Sequence, residues 1–174
     1  MNLTIEELPQ AILRAMEPED LDILYRIEND FELWAVGATN VPYSRYALHE
    51  YIASASGDIY TDRQVRLIIE DTHHDIIGIL DLMNFDPQHE RAEVGIVIQR
   101  CYRGKGYGKA AMNQLVTYAH TVLHLHQLYA LVSVDNVFCI RLFEDLSFRR
   151  SSLLKDWLYD GDAYHDAVVL QLFL

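Results

Sequence analysis

The chain is short of positive charge, cysteine and proline. It has 14 Lys+Arg against 26 Asp+Glu, a formal net charge of −12 over 174 residues. That balance repels phosphate backbones and argues against general nucleic-acid binding, while it favours small cations such as polyamines and amino sugars. Two cysteines, Cys101 and Cys139, exclude a disulfide framework and fit a reducing compartment. No apolar run is long enough to cross a bilayer. The opening residues, MNLTIEELPQ, carry acids where a secretory signal has cations. The expectation is a cytoplasmic protein. With no repeat, low-complexity tract or Pro/Gly/Ser linker, and 51% hydrophobic residues, residues 1–174 read as one domain with a real core.

The scarce cations are unevenly placed. Arg100, Arg103, Lys105 and Lys109 lie within one stretch, around the glycines of CYRGKGYGKAAM, residues 101–112. Downstream, Met112, Leu115, Val116, Ala119 and Val122 recur at helical spacing and predict a helix over about 107–123. Upstream, RAEVGIVIQ reads as a strand. A helix start carries unpaired N–H groups and partial positive charge, so cations crowding it call for an anion between them. Phosphate fits. A Walker loop is excluded because Lys105 is followed by Gly106 and not by GK-S/T, and G-x-G-x-G past mid-chain is not the dinucleotide fingerprint.

The rest of the chain supplies context. QAILRAM (10–16) predicts a strand, and EPEDLDILYRIEND a helix with Pro18 in its first turn. A second helix is expected over Tyr43–Ala55. QVRLIIE, IIGILDLMNF and RAEVGIVIQ are joined by links too short for parallel crossovers, so they predict an antiparallel meander. LYALVSVD (128–135) predicts a strand and NVFCIRLFEDL a helix, and two strands flank Asp160-Gly161-Asp162. The fold class is mixed α/β.

RAEVGIVIQRCYRGKGYGKAAM resembles the acetyl-CoA segment of the GCN5-related N-acetyltransferase superfamily, with Arg103, Gly106 and Gly108 in its Q/R-x-x-G-x-G/A pattern. VSVDNVFCIRLFEDLSF is similar to that superfamily's next segment. ILDLMNFDPQHERAEVGIVI, HLHQLYALVSVDN and WLYDGDAYHDAVVL are similar to the branch holding spermidine and ribosomal-protein acetyltransferases. The resemblance implies a central sheet of about seven mostly antiparallel strands with about four helices, acetyl-CoA as cosubstrate and no metal.

It further implies that the amides of residues 103–109 (Arg103, Gly104, Lys105, Gly106, Tyr107, Gly108 and Lys109) hold the pyrophosphate. Val97 and Ile98 would meet the pantetheine arm, with Asn136 near the thioester. Asn136 equally suits a helix N-cap. Glu93 is the candidate to bind or deprotonate the amine, and alternation sets it with Gly95 and Val97, away from Val94, Ile96 and Ile98. It could equally be a surface acid paired with Arg91. Trp34, Tyr43, Tyr46 and Tyr51 are candidates to line an amine pocket, or to pack in the core. One departure stands out. Seven residues after Asn136, where the pattern often has a tyrosine acid, this chain has Phe143, which has no proton to donate. Cys139, Tyr159 and Tyr164 are candidate donors in its place; otherwise water protonates the thiolate, or catalysis is weak or altered. His120 and His124 lack the further ligands of a metal set. The expected acceptor is a small polyamine, with a protein N-terminus, an aminoglycoside-type amine or a non-catalytic acyl-CoA sensor as alternatives. A homo-oligomer is possible on exposed apolar residues.

Overall fold

The structure, a computed structural model, describes residues 8–30 and 41–174. Its seven strands are β1 (Ile12–Ala15), β2 (Val65–Glu70), β3 (Ile76–Asp86), β4 (Arg91–Ile98), β5 (Gln127–Ser133), β6 (Arg149–Tyr159) and β7 (Tyr164–Phe173), ordered β1-β2-β3-β4-β5-β7-β6 in one sheet. All neighbours are antiparallel except β4 and β5. The short links give the antiparallel meander β2–β3–β4. The longer crossover through a helix gives the one parallel pair, as chain geometry requires.

The helices are α1 (Leu21–Glu28), entered through a 3-10 turn at Pro18–Asp20, α2 (Arg45–Ser54), α3 (Ile59–Asp62), α4 (Tyr107–Thr121) and α5 (Val137–Asp145). Ser44 Oγ accepts from Ala47 N at 3.0 Å and starts α2. The four-residue α3 joins the four expected helices. It is nucleated by Asp58, whose carboxylate accepts from Tyr60 N and Thr61 Oγ1.

The two faces of the sheet are covered differently. On one, Ala111, Met112, Leu115 and Ala119 of α4 and Ile140 and Phe143 of α5 join Leu80, Leu82, Val94, Leu128 and Leu170 in the main core. On the other, Ile23 and Ile27 of α1 pack on Ile68 and Ile79, and α2 packs on α1 through Leu24, Leu48 and Ile52. Ion pairs interleave with these small clusters. The Arg66 guanidinium forks onto Asp81 (Nε–Oδ1 2.7 Å, Nη2–Oδ2 2.8 Å) and bonds Glu28 through Nη1. Burial lowers its pKa, but the hydrogen bond and charge of Asp81, then the charge of Glu28, raise it further, and the net shift is upward. Arg14 ties Asp20 to Glu70 in the same way beside the 3-10 turn.

Candidate active site

The sheet opens between its parallel neighbours. Register between β4 and β5 runs over only Arg91↔Gln127, Ala92↔Leu128 and Glu93↔Tyr129, although β4 continues to Ile98 and β5 to Ser133. From Val94 onward one edge of β4 faces a gap, while its other edge stays paired with β3 through Ile98. Gln99 N extends that attachment by donating to Ile77 O at 2.8 Å. An opened parallel pair leaves backbone donors and acceptors in line, a slot for an extended amide-bearing chain.

The expected site residues divide around this gap. Val97 O lies against Gly78 of β3, where a Cβ would stand 2.0 Å from it. Ile98 O accepts from Arg103 Nε at 2.9 Å, which braces the glycine corner against the end of β4. At the corner Gly104 (φ +73°) and Gly106 (φ +86°) take left-handed conformations that favour glycine. A Cβ at Gly106 would come within 2.9 Å of Pro9, whereas one at Gly104 would meet nothing within 4 Å. The backbone at Gly104 is therefore open to a ligand. The α4 start has no capping side chain. Ala110 N is the first to find a helical partner, Gly106 O, so the N–H groups of Tyr107, Gly108 and Lys109 precede the helix's own bonding. Gly108 lets α4 approach α5, its would-be Cβ lying 3.3 Å from Leu142. Lys105 Nζ sits 5.6 Å from the centre of the Tyr102 ring, which packs edge-on to Tyr107. Beside the corner, a cleft of about 450 Å³ runs along the end of β4, lined among others by Arg26, Ile27, Val97, Ile98, Cys101 and Arg103. Open glycine backbone, unbonded helix amides, cations and an unpaired strand edge fit a diphosphate carrier with an amide-bearing arm.

Glu93 lies half-buried on the α1 face, on the last rung before the gap. Its Oε2 accepts from Asn84 Nδ2 at 2.8 Å, while Arg91 turns away to Asp86. A Cβ at Gly95 would come 3.1 Å from the flexible end of Met83 and 3.9 Å from Asp81 Cβ. Asn136 Oδ1 accepts from Cys139 N at 3.1 Å and N-caps α5.

The candidates for a proton donor are arranged otherwise. Phe143 is fully buried, edge-on to Phe148 at 4.9 Å, and belongs to the main core. Burial pushes the Cys139 thiol up to about 11, leaving it a weaker acid than an ordinary thiol. Tyr159 and Tyr164 pack on one another at the tip of the last hairpin, and Tyr159 OH donates to Gly161 O. Of the aromatics expected around the amine, Trp34 lies outside the described residues. Tyr43 is anchored by Asn29 through its backbone, Tyr46 is exposed, and Tyr51 lies over Arg66. Among the described residues no group of three or more His, Cys, Asp or Glu is arranged to hold a metal, and no helix is long and apolar enough to cross a membrane. Asn84 and Tyr129, which flank Glu93, went unread as site residues. Their closeness depends on a strand bulge and on parallel register, and neither leaves a local signal.

An opened strand edge with a carboxylate beside it suits a protein that works on an acyl group carried by an amide-bearing arm. The family model of the acetyltransferase (GNAT) domain matches residues 10–149. The chain belongs to the GNAT acetyltransferase family, and it is an acetyl-CoA-dependent N-acetyltransferase. It is 27% identical to a spermidine N(1)-acetyltransferase of Vibrio cholerae, covering 90% of this chain and 89% of that one. It is 29% identical to a putative ribosomal N-acetyltransferase, YdaF, of Bacillus subtilis, covering 92% and 89%. The crystal structure of the Vibrio cholerae spermidine N-acetyltransferase in complex with CoA and spermine superposes with a TM-score of 0.85 at 27% identity, over 94% of this chain and 95% of that one.

Proposed function

We propose that this enzyme acetylates a primary amine of a small polyamine such as spermidine, with Glu93 as the base. The observation that carries the reading is the position of Glu93, held by Asn84 on the last β4–β5 rung, where the strand edge opens. The net charge of −12 favours a polycation as acceptor. Similarity to spermidine acetyltransferases supports the same acceptor class.

Acetyl-CoA, when bound, supplies the activated acetyl group. The amides and cations of residues 103–109 suit its diphosphate, and the open edge of β4 suits the pantetheine arm. Asn136, the cap of α5, is assigned to the thioester by the resemblance. Trp34 and Tyr43 are assigned to the acceptor by the resemblance alone. An alkyl ammonium, with a pKa near 10.4, must lose a proton before it can attack, and Glu93 Oε1 is the acceptor for that proton. With Phe143 sealed in the core and Cys139 a weak acid, solvent protonates the leaving thiolate. The exposed Leu153, Trp157, Tyr159 and Phe173 of β6 and β7 support a homo-oligomer, as does the dodecameric structure of a Vibrio cholerae relative.

Thiol release from acetyl-CoA with spermidine, spermine, diamines, aminoglycosides and N-terminal peptides tests the reading. Spermidine or spermine is expected to release most thiol, from a species sedimenting above the 20.2 kDa of one chain. Release with peptides alone would replace the polyamine by a protein acceptor. Glu93→Gln is expected to lower kcat by about 10²- to 10⁴-fold while acetyl-CoA still binds in a calorimeter.

A further inference from the structure

In a regular strand Asn84 would point away from Glu93. Met83 pairs with Glu93 and shares its face, as its approach to Gly95 shows, so its neighbour should take the opposite face. The β3–β4 register instead shifts between Met83 and Asp86, and Asn84 adopts a left-handed backbone (φ +50°). This bulge has two effects. It sends Phe85 into the main core, and it keeps Asn84 on the Glu93 side, where Nδ2 donates to Glu93 Oε2 at 2.8 Å. The turn that follows does not require the amide, because Asp86 Oδ1 accepts from Gln88 N and His89 N and closes it. A residue held in a sparsely populated backbone conformation, with its amide donating to a carboxylate at the opening, points to a task at that carboxylate.

From the other side, β5 brings Tyr129 opposite Glu93 on the last parallel rung. Burial, then the neighbouring Glu93 charge, raises the phenol above its ordinary value, which keeps its proton in place. Glu93 thus stands between an amide donor on β3 and a protonated hydroxyl on β5. A carboxylate on a strand edge otherwise turns freely about its side-chain torsions, and a base that turns away from the amine is idle for part of each cycle.

We infer that Asn84 and Tyr129 are positioning residues that hold the Glu93 carboxylate so that Oε1 faces the acceptor amine. The inference rests on the reading of Glu93 as the base. Asn84→Gly keeps the left-handed backbone and removes the amide, and Tyr129→Phe keeps the ring and removes the hydroxyl. With spermidine and acetyl-CoA, each variant is expected to lose about tenfold in kcat with KM for acetyl-CoA unchanged. Added to Glu93→Gln, neither substitution should cost anything further, because the group it positions is already gone. Undiminished kcat in both single variants, with Glu93→Gln inactive, would overturn the inference and leave the base standing. So would the same tenfold loss in the Glu93→Gln background, since a merely structural role survives removal of the base. Full turnover by Glu93→Gln would remove the base itself, and the inference with it.

Discussion

On the α4 side of the sheet the contacts are apolar from end to end, from Leu80 and Val94 through Met112 and Leu115 to Phe143 and Leu170. On the α1 side, clusters of three or four apolar side chains alternate with Arg14–Asp20–Glu70 and Arg66–Asp81–Glu28. The first face is a core in the ordinary sense. The second is held at a few charged points, and it is the face that carries Glu93. A carboxylate that must bind and release a proton needs water, room and polar neighbours, and a close-packed apolar face supplies none of these. The division of labour follows from that requirement.

The largest expected effect lies on the apolar face. Phe143 is 1% exposed and packs on Phe148. Phe143→Ala should lower unfolding free energy by about 3–5 kcal/mol, read by urea denaturation, because the emptied space is walled by sheet and helix. A loss below about 1 kcal/mol would mean that α5 collapses into the gap and that this face is softer than it looks.

The charged face should respond less and differently. Arg66→Met takes the guanidinium away from Glu28 and Asp81, and breaking a fully buried ion pair of this kind costs about 3–5 kcal/mol. Here their side chains keep 19% and 13% exposure, so a loss of about 2 kcal/mol is expected by the same denaturation. Replacing all three by Met, Leu and Leu should restore most of that loss, since apolar packing substitutes well for a buried ion pair. If the triple variant is no more stable than Arg66→Met, the charges do more for this face than fix its geometry.

The same contrast explains how much of the molecule could be read from residues alone. Period-2 and helical spacing were legible where one face is uniformly apolar. The meander, α4 and α5 followed from it, and alternation on β4 set Glu93 with Gly95 and Val97, opposite Val94, on what the structure shows to be the α1 face. The short α3 was not legible, because a four-residue helix in SGDIYTD shows no periodicity and depends on one aspartate cap. Nor was the bulge at Asn84. It breaks the alternation that strand reading relies on, and its cause is the pairing with β4. Tyr129 read as one more strand residue, because parallel register across a helix crossover is a tertiary property. The aromatics of the first loop and α2 suggested a cation pocket. Of the described ones, Tyr51 meets a cation of the protein's own, Arg66.

The smallest effect is expected at the surface, where the last hairpin meets the loop before α5. His165 bonds Asp135 through Nδ1 and Asp160 through Nε2, both at 2.8 Å, so the ring donates on both sides when protonated. Asp160, then Asp135, raises its pKa above the usual 6.5. Asp160 is lowered to about 2, first by the amides of Ala163 and Asp162 and then by His165. The signs are opposite. A raised histidine contributes stability fully present below about pH 6.5 and lost as pH rises through its folded value. A depressed aspartate contributes stability present above about pH 3.8 and lost as pH falls towards 2. The clamp is therefore strongest between those limits and loosens on the alkaline side first. His165→Gln should melt below the unsubstituted protein at about pH 6 and together with it at about pH 9. Because these groups are at least partly solvent-exposed, the gap should shrink with added salt. A melting difference constant across that range would mean that the ring acts by packing and that its charge is incidental.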